Sequence, residues 1–274
     1  MIKLLSAGFE RLRKNKIFWL LTIFSIGLAI FMIYTQYDDM KRYDEIIEVE
    51  QLLLNYSTMI GFVIAIFTSL FLGVEYSDGA IRNKISIGHK RLNIYLSNLI
   101  IVSIVSLFSY ILFMIVIAII GIPLFGKITM SIPKLLKLIG CIFATIFAYS
   151  SIFTFIAMMI SNKTIASITS IMLAFVMIFY SLMTFDRLLQ PEYIDTLINN
   201  DGIQEIVKTK NRRFLKDEKK KLAQFSIDLI PAGQMFQLAG KRDSNLKVLP
   251  LYSLGEFILF TGIGILLFKK KELK

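Results

Sequence analysis

Residues 57–98 read STMIGFVIAIFTSLFLGV followed directly by EYSDGAIRNKISIGHKRLNIYLSN. The first part is apolar throughout and nearly as long as the ~20 helical residues that cross the hydrocarbon core of a bilayer. The second part is polar and carries Arg82, Lys84, Lys90 and Arg91. It is too long for a tight turn and too short for a domain. The stretch therefore predicts a membrane-spanning helix that leads into a compact basic segment.

The rest of the chain contains further long apolar runs like residues 57–74. Hydrophobic residues make up 55% of the sequence and the mean hydropathy is +0.66, whereas a soluble domain has an apolar share of ~45–50%. Because backbone groups in lipid must be hydrogen-bonded within their own segment, such runs are helices. The sequence predicts an all-α integral membrane protein with six spans. These are 17–34, 57–74, 94–120, 136–160, 165–185 and 251–268.

The distribution of Lys and Arg predicts how these spans are oriented. Cytoplasmic loops carry an excess of both residues, which places the two termini and the segment 75–93 in the cytoplasm. The long segment 186–250 before the last span is then extracellular. It contains the basic stretch Lys208–Lys221, whose role stays open, and loops of this length are largely exempt from the charge rule. We expect a multi-pass protein of a bacterial cell membrane.

Residues 1–16 predict a helix that lies in the cytoplasmic interface of the membrane. At helical spacing Ile2, Leu5, Phe9 and Leu12 share one face, and charged residues occupy the other. This amphipathic pattern is typical of interfacial helices. The alternative is an ordinary cytoplasmic extension of the first span.

Residues that could carry catalytic chemistry are scarce. His89 is the only histidine and Cys141 the only cysteine, which excludes a His/Cys metal cluster. The sequence has no P-loop pattern for binding a nucleotide. Its net charge of +11 is not arranged as a basic surface interleaved with aromatic residues. We therefore expect no enzyme, no metal or cofactor bound by this chain, and no nucleic-acid partner.

Two ionisable residues fall inside the apolar runs. Lys137 lies at the outer edge of the fourth run, and Glu256 lies in the outer third of the last. The alternatives are a pair between them, separate side chains that reach the outer surface, or a proton relay.

The basic segment has the features of a short helix between two turns. Asp78 is placed to cap a helix over Gly79 to Ile85 by accepting hydrogen bonds from its first amides. Gly88 allows the chain to turn back into the third span. The alternative is a solvated connector whose positive charges only fix the orientation of the spans.

Glu75 stands where the second span leaves the hydrocarbon layer. A carboxylate at that position needs a cationic or amide partner to offset its desolvation. Arg82 and Arg91 are the nearest arginines in the sequence, so we expect a pair between Glu75 and one of them.

The segment Glu75–Arg91 resembles the E-x-x-x-G-[TA]-I-[RK]-x-K … G-x-x-R signature of permease subunits in the ABC type-2 exporter family. The arrangement of spans is similar to that family over the whole chain. A second segment, Leu229–Gln234, is similar to the proline-glycine break of the bacitracin, lantibiotic and amphipathic-peptide exporter branch. That similarity implies an outer re-entrant break at Pro231 and Gly233.

The resemblance also implies partners and coupling residues. ATP and Mg would be held by a separate ABC ATPase subunit, and a second permease copy or a close relative would complete the transporter. The helix of the basic segment would dock into the ATPase as a coupling helix. The residues implied in this coupling are Glu75, Asp78, Gly79, Ile81, Arg82, Lys84, Gly88 and Arg91.

In the same family the second and fifth spans face each other across the dimer, which implies a translocation path between them. Both spans carry strips of small or weakly polar residues, for which helix packing is the alternative role. The candidate lining residues are Thr58, Gly61, Ala65, Thr68, Thr169, Met177 and Tyr180.

A path of this composition suits an amphipathic cargo, and the resemblance implies export of amphipathic peptides for toxin secretion, antimicrobial activity or immunity. Export of lipid-linked cargo is one alternative. The other is a membrane sensor or scaffold subunit that transports nothing and whose basic loops bind membrane lipid.

Overall fold

The computed structural model describes residues 1–44, 46–200, 203–241 and 246–272, with the backbone alone at 197–200 and 203–205. Helices dominate it. The elements in chain order are α1 (Ile2–Lys14), α2 (Lys16–Tyr43), α3 (Val49–Asn55), α4 (Ser57–Ser77), α5 (Ala80–Ser86), α6 (Arg91–Val116), a π-helical turn (Ile117–Gly121), α7 (Ile122–Phe125), α8 (Ile132–Met159), α9 (Lys163–Leu189), β1 (Tyr193–Asn200), β2 (Ile203–Lys210), α10 (Asp217–Leu229), α11 (Pro231–Ala239) and α12 (Leu249–Lys270).

Within the described residues, six helical segments are long and apolar enough to cross a membrane. They are Lys16–Tyr43, Val49–Ser77, Arg91–Phe125, Ile132–Met159, Lys163–Leu189 and Leu249–Lys270. Each coincides with one of the six apolar runs and extends past it at one end or both. Helical hydrogen bonds form between backbone groups, so a helix continues into polar flanks where the apolar run has ended. The predicted fold class, an all-α protein with six membrane-spanning helices, is confirmed.

The spans α4 and α8 form the centre of the bundle. α4 packs against α6, α8 and α9, while α8 also packs against α12. Gly61 of α4 lies so close to Tyr149 of α8 that an added Cβ would come within 2.4 Å of the ring. Small residues allow such close approach between helices in membranes. By contrast, α2, α9 and α12 leave most of their surface exposed.

The amphipathic helix α1 packs on the bundle through a narrow face. Its buried residues are Leu4, Gly8 and Leu12, and Gly8 contacts Ile101 of α6. Ile2 remains exposed. The part of the apolar face that the protein does not cover is therefore free for contact with lipid.

The segment 186–250, expected as a loop, contains regular structure. β1 and β2 pair as an antiparallel hairpin in which Tyr193 lies opposite Lys210, and α10 and α11 follow. The hairpin was missed, although Asp201–Gly202 is a recognisable hairpin-turn dipeptide in the sequence. Residues 201–202 and 242–245 of the expected loop lie outside the described residues.

The proline-glycine break before the last span forms the start of α11. Pro231 is the first helical residue, a position where its missing N–H costs nothing. Gly233 lies against the backbone of Ile227, and a Cβ there would be 2.4 Å from the Ile227 carbonyl oxygen. The break therefore folds α11 back into the bundle, where it contacts α4, α8 and α9.

A neutral hydrogen-bond network fixes α11 in place. The Gln234 side chain accepts hydrogen bonds from the hydroxyls of Thr145 (2.9 Å) and Ser253 (2.5 Å). It donates to the carbonyl oxygen of Asp228 at 2.8 Å. Gln234 is fully buried, so all its hydrogen bonds are to protein and join α8, α10, α11 and α12.

Candidate functional site

The basic segment folds into α5, which lies between two glycine turns. Gly79 before it and Gly88 after it have left-handed φ angles of 67° and 93°, which glycine adopts without strain. The predicted cap is wrong: Asp78 ends α4, accepts a hydrogen bond from Ser77, and no side chain caps α5. The turn at Gly79 makes that glycine the capping position, which leaves Asp78 one residue too early.

One face of α5 is packed against the protein and the other is open. Ile81 is buried, and Lys84 is half-buried beside it, as expected for residues three apart on a helix. The opposite side is exposed and consists of Arg82, Asn83 and Ile87, which we call the outer face of α5. The coupling candidate Ile81 therefore anchors the helix, and Ile87, which was not among the candidates, is available to a partner.

A buried carboxylate organises the contacts beneath α5. Glu75 is only 1% exposed at the end of α4. Its Oε1 forms ion pairs with Arg11 of α1 and Lys84 of α5. Its Oε2 accepts a hydrogen bond from the amide of Asn98 on α6 at 2.8 Å. These four residues, the Glu75 cluster, connect four helices through one side chain.

The expectation that Glu75 pairs with Arg82 or Arg91 is wrong. Arg82 is on the outer face of α5 because that helix directs Ile81 and Lys84 toward the bundle. Arg91 is engaged elsewhere, at the end of α12. The cationic partner from outside the segment is Arg11, 64 positions earlier in the sequence.

Arg11 also contacts an aromatic side chain of α4. Its guanidinium carbon lies 3.9 Å from the centre of the Phe71 ring, a favourable cation–π geometry. Burial lowers the pKa of Arg11, and the neighbouring Glu75 raises it; an arginine remains charged under either influence. Sequence reasoning gave Arg11 no role because only the tertiary fold brings α1 to the end of α4.

The C-terminal end of α12 is tied to the same end of the bundle. Arg91 donates hydrogen bonds to the carbonyl oxygens of Phe268 and Lys269, both at 3.1 Å, so it satisfies groups that a helix end leaves open. Lys271 donates to the Tyr76 hydroxyl and the Met158 carbonyl oxygen, both at 3.0 Å. Burial lowers the pKa of Lys271 to about 8. We call this region, with the Glu75 cluster, the termini end.

The candidate lining residues fall into two groups. On α4, Gly61, Ala65 and Thr68 are buried inside the chain, where they serve helix packing, and the hydroxyl of Thr58 donates to the carbonyl oxygen of Asn55 at the end of α3. A lining role for them would require α4 to separate from its neighbours.

On α9, by contrast, Thr169 and Tyr180 are exposed and Met177 is half-buried. The hydroxyl of Tyr180 donates to Ser226 of α10 at 2.9 Å. The open face of α9, not that of α4, is therefore available for a path or for a second copy.

The two ionisable residues within the spans do not pair in the part of the chain that the structure describes. Lys137 is exposed on α8. One carboxylate oxygen of Glu256 is buried without a hydrogen-bond partner among the described residues. The described residues also hold no group of three or more His, Cys, Asp and Glu side chains placed to bind a metal ion.

Comparison with known proteins identifies the family. Residues 4–181 match the family described as ABC-2 family transporter protein, which is more than half of the 274 residues. The chain belongs to this family and is a multi-pass membrane component of a transporter. The matched segment contains the Glu75 cluster and α5, whereas α10, α11 and α12 lie beyond it. No curated protein matches the chain.

Proposed function

We propose that this ABC-2 family transporter protein is the permease subunit of an ATP-driven exporter of amphipathic peptides. It would pair with a second permease copy and receive mechanical force from a separate ABC ATPase, which holds ATP and Mg. The observation that carries the proposal is the Glu75 cluster, which attaches α5 to α1, α4 and α6 while leaving one side of α5 open.

The contacts of α5 suit the transmission of a displacement. Lys84 joins the helix to Glu75, and Ile81 is inserted into the bundle. A partner that pushes on the outer face would move Glu75, and with it Arg11 and Asn98. Such coupled, rigid-body movement is a common means of switching between conformations. Arg82 and Ile87 offer that partner a charge and an apolar contact.

The charge distribution supports a cytoplasmic position for the termini end. Lys and Arg are abundant in α1, in α5 with its flanks and at the end of α12, as the positive-inside rule requires of short cytoplasmic segments. An ATPase fuelled by cellular ATP would meet α5 on that side.

The peptide assignment rests on the exposed face of α9 and the resemblance of the proline-glycine break. Phe175 and Phe179 lie on α9 with Thr169 and Tyr180 and are exposed, which combines aromatic surface with hydroxyl groups. A second copy facing this surface would complete a path for a cargo that is partly apolar and partly polar. Lipid-linked cargo and a sensor or scaffold role remain the alternatives.

The proposal is tested by reconstituting the chain with its ATPase in vesicles. We expect the ATPase to co-purify with the chain, and we expect ATP hydrolysis to change when an amphipathic cationic peptide is added, because cargo binding and coupling share the same spans. A change with lipid-linked cargo alone would favour that alternative. Co-purification without transport of either cargo would favour the sensor or scaffold role, and absence of co-purification would contradict the proposal.

A further inference from the structure

A narrow apolar groove runs between α2 and α4 near the termini end. Its walls are hydrocarbon only and include Leu20 and Phe24 from α2 and Phe62, Ile66 and Phe67 from α4. Its volume is about 180 Å³, below the ~300–1,000 Å³ of pockets that enclose a compact ligand. Leu20 and Phe24 are at least half exposed. Because both helices are membrane spans, the groove lies at the depth of lipid acyl chains.

Two positive charges precede the first residue of the groove wall, since Ile17 lines the groove and directly follows Lys16. α2 begins at Lys16, directly after the break at Asn15 that separates it from α1. Arg13 and Lys16 are exposed, and within the described residues their side chains have no hydrogen-bond or ion-pair partner. The start of α2 also carries the positive end of its helix dipole. Arg13 and Lys16, which we call the rim of the groove, therefore attract an anion.

Trp19 indicates where the membrane surface meets the rim. Its indole N–H donates to the carbonyl oxygen of Arg13 at 2.9 Å, while the side chain is 52% exposed. Tryptophan is enriched at the boundary between hydrocarbon and headgroups because one part of its ring system is apolar and the other polar. Arg13 and Lys16 are thus at headgroup level, with the groove beneath them.

We propose that this groove binds one acyl chain of an anionic phospholipid, with the lipid phosphate held by Arg13 and Lys16. The apolar walls match an acyl chain, and the two cations match a headgroup of net negative charge. A groove of about 180 Å³ suits a single extended chain better than a helix of another protein. The rim explains why the lipid should be anionic and not zwitterionic.

The bound lipid would contact the Glu75 cluster through aromatic rings. Phe67, in the wall of the groove, is stacked on Phe71 with ring centres 5.1 Å apart. Arg11 lies over the Phe71 ring and is bound to Glu75. An acyl chain in the groove therefore supports the packing that holds Arg11. Lipid binding itself does not depend on the proposed transport function.

A fluorescent reporter is placed in the groove wall by Phe24→Trp in a Trp19→Phe background, because Phe24 lines the groove and Trp19 is the only tryptophan in the sequence. Brominated acyl chains quench tryptophan fluorescence on contact. The chain is reconstituted in phosphatidylcholine vesicles that contain a minor fraction of either brominated phosphatidylglycerol or brominated phosphatidylcholine. We expect about tenfold preference for the anionic lipid at the introduced tryptophan, since each Lys or Arg near the surface contributes to attraction.

Charge variants separate this site from general attraction to the membrane. Arg13→Gln with Lys16→Gln should remove the preference, whereas Lys3→Gln with Lys270→Gln, which also removes two exposed positive charges, should retain it. Equal quenching by both brominated lipids in the reporter protein with Arg13 and Lys16 intact would overturn the proposal. So would a preference that survives the Arg13→Gln, Lys16→Gln double substitution, or protection of the introduced tryptophan from both lipids, which would show that protein covers the groove.

Discussion

The two ends of the bundle are held together by different chemistry. At the termini end, the buried carboxylate of Glu75 joins helices through two cations and an amide. At the opposite end, the neutral amide of Gln234 joins helices through hydroxyl and carbonyl groups. Removing one partner of a buried ion pair costs more than removing a neutral hydrogen-bonding group. The termini end is therefore the more sensitive of the two to the loss of a single side chain.

The difference also concerns what each network connects. Gln234 ties α11 to neighbours that are themselves deep in the bundle. The Glu75 cluster instead includes α5, whose outer face is open to a partner. A network of the first kind anchors a helix, and one of the second kind passes a displacement of α5 to other helices. We expect substitutions at the two sites to differ in their effect on coupling as well as on stability.

The largest effect is expected for Glu75→Gln. The substitution leaves Arg11 and Lys84 without a counter-charge, and we expect a loss of about 3–5 kcal/mol in the free energy of unfolding for a fully desolvated pair, reduced by the partial exposure of the two cations. Thermal unfolding of the detergent-solubilised protein measures this.

Asp78→Asn provides the matched control, because Asp78 is exposed three residues away and forms no ion pair among the described residues. It should change stability by no more than about 0.5 kcal/mol. Equal destabilisation by both substitutions would show that the Glu75 cluster contributes no more to the free energy of unfolding than the exposed Asp78 does.

A smaller loss is expected for Gln234→Leu. The substitution removes three buried hydrogen bonds, at a cost of about 1–3 kcal/mol. At matched protein levels, ATP hydrolysis per transported molecule should stay unchanged, whereas Glu75→Gln should raise it. If Gln234→Leu uncouples hydrolysis from transport as strongly, the distinction between the two ends is wrong.

The Glu75 cluster shows which parts of the site follow from sequence. The need of Glu75 for a cation is local chemistry at the end of an apolar run, and the left-handed turn at Gly88 follows from the residue type. The choice of Arg11 over Arg82 depends on where α1 folds back and on the rotation of α5. Both are set by tertiary packing of Gly8 and Ile81, which single-sequence periodicity does not contain.

The segment before the last span shows the same limit at the level of the fold. The six spans follow from hydropathy because each must satisfy its own backbone in lipid. The hairpin has no such requirement, so hydropathy does not reveal it. α11 is too short to register as a span, yet Gly233 allows it to pack inside the bundle. Short buried elements are recognisable only from the contacts that they make.

The smallest stability effect is expected from the titration of Lys271. Its pKa of about 8 is lower than the ordinary lysine value of 10.5, so between these pH values the unfolded chain binds more protons than the folded one. Stability then rises with pH in this window. The stability of the unmodified protein relative to Lys271→Met should therefore increase from neutral pH to about pH 9.5.

Lys269→Met is the control for this titration, because Lys269 is exposed on the same helix end. Its stability relative to the unmodified protein should not vary over the same pH range. A pH dependence shared by both variants would assign the effect to another group.

The outer face of α5 gives the most direct test of coupling. Arg82→Ala, Asn83→Ala and Ile87→Ala together alter the exposed side and leave Ile81, Lys84 and the Glu75 cluster intact. The matched control alters Lys219, Lys220 and Leu222, which are exposed on α10. The measurement is the amount of ATPase that co-purifies with equal amounts of each folded protein. We predict a decrease of about tenfold or more for the α5 variant, as expected when truncation at an interface removes at least ~1.4 kcal/mol, and no change for the control. Unchanged co-purification and transport by the α5 variant would contradict docking at α5.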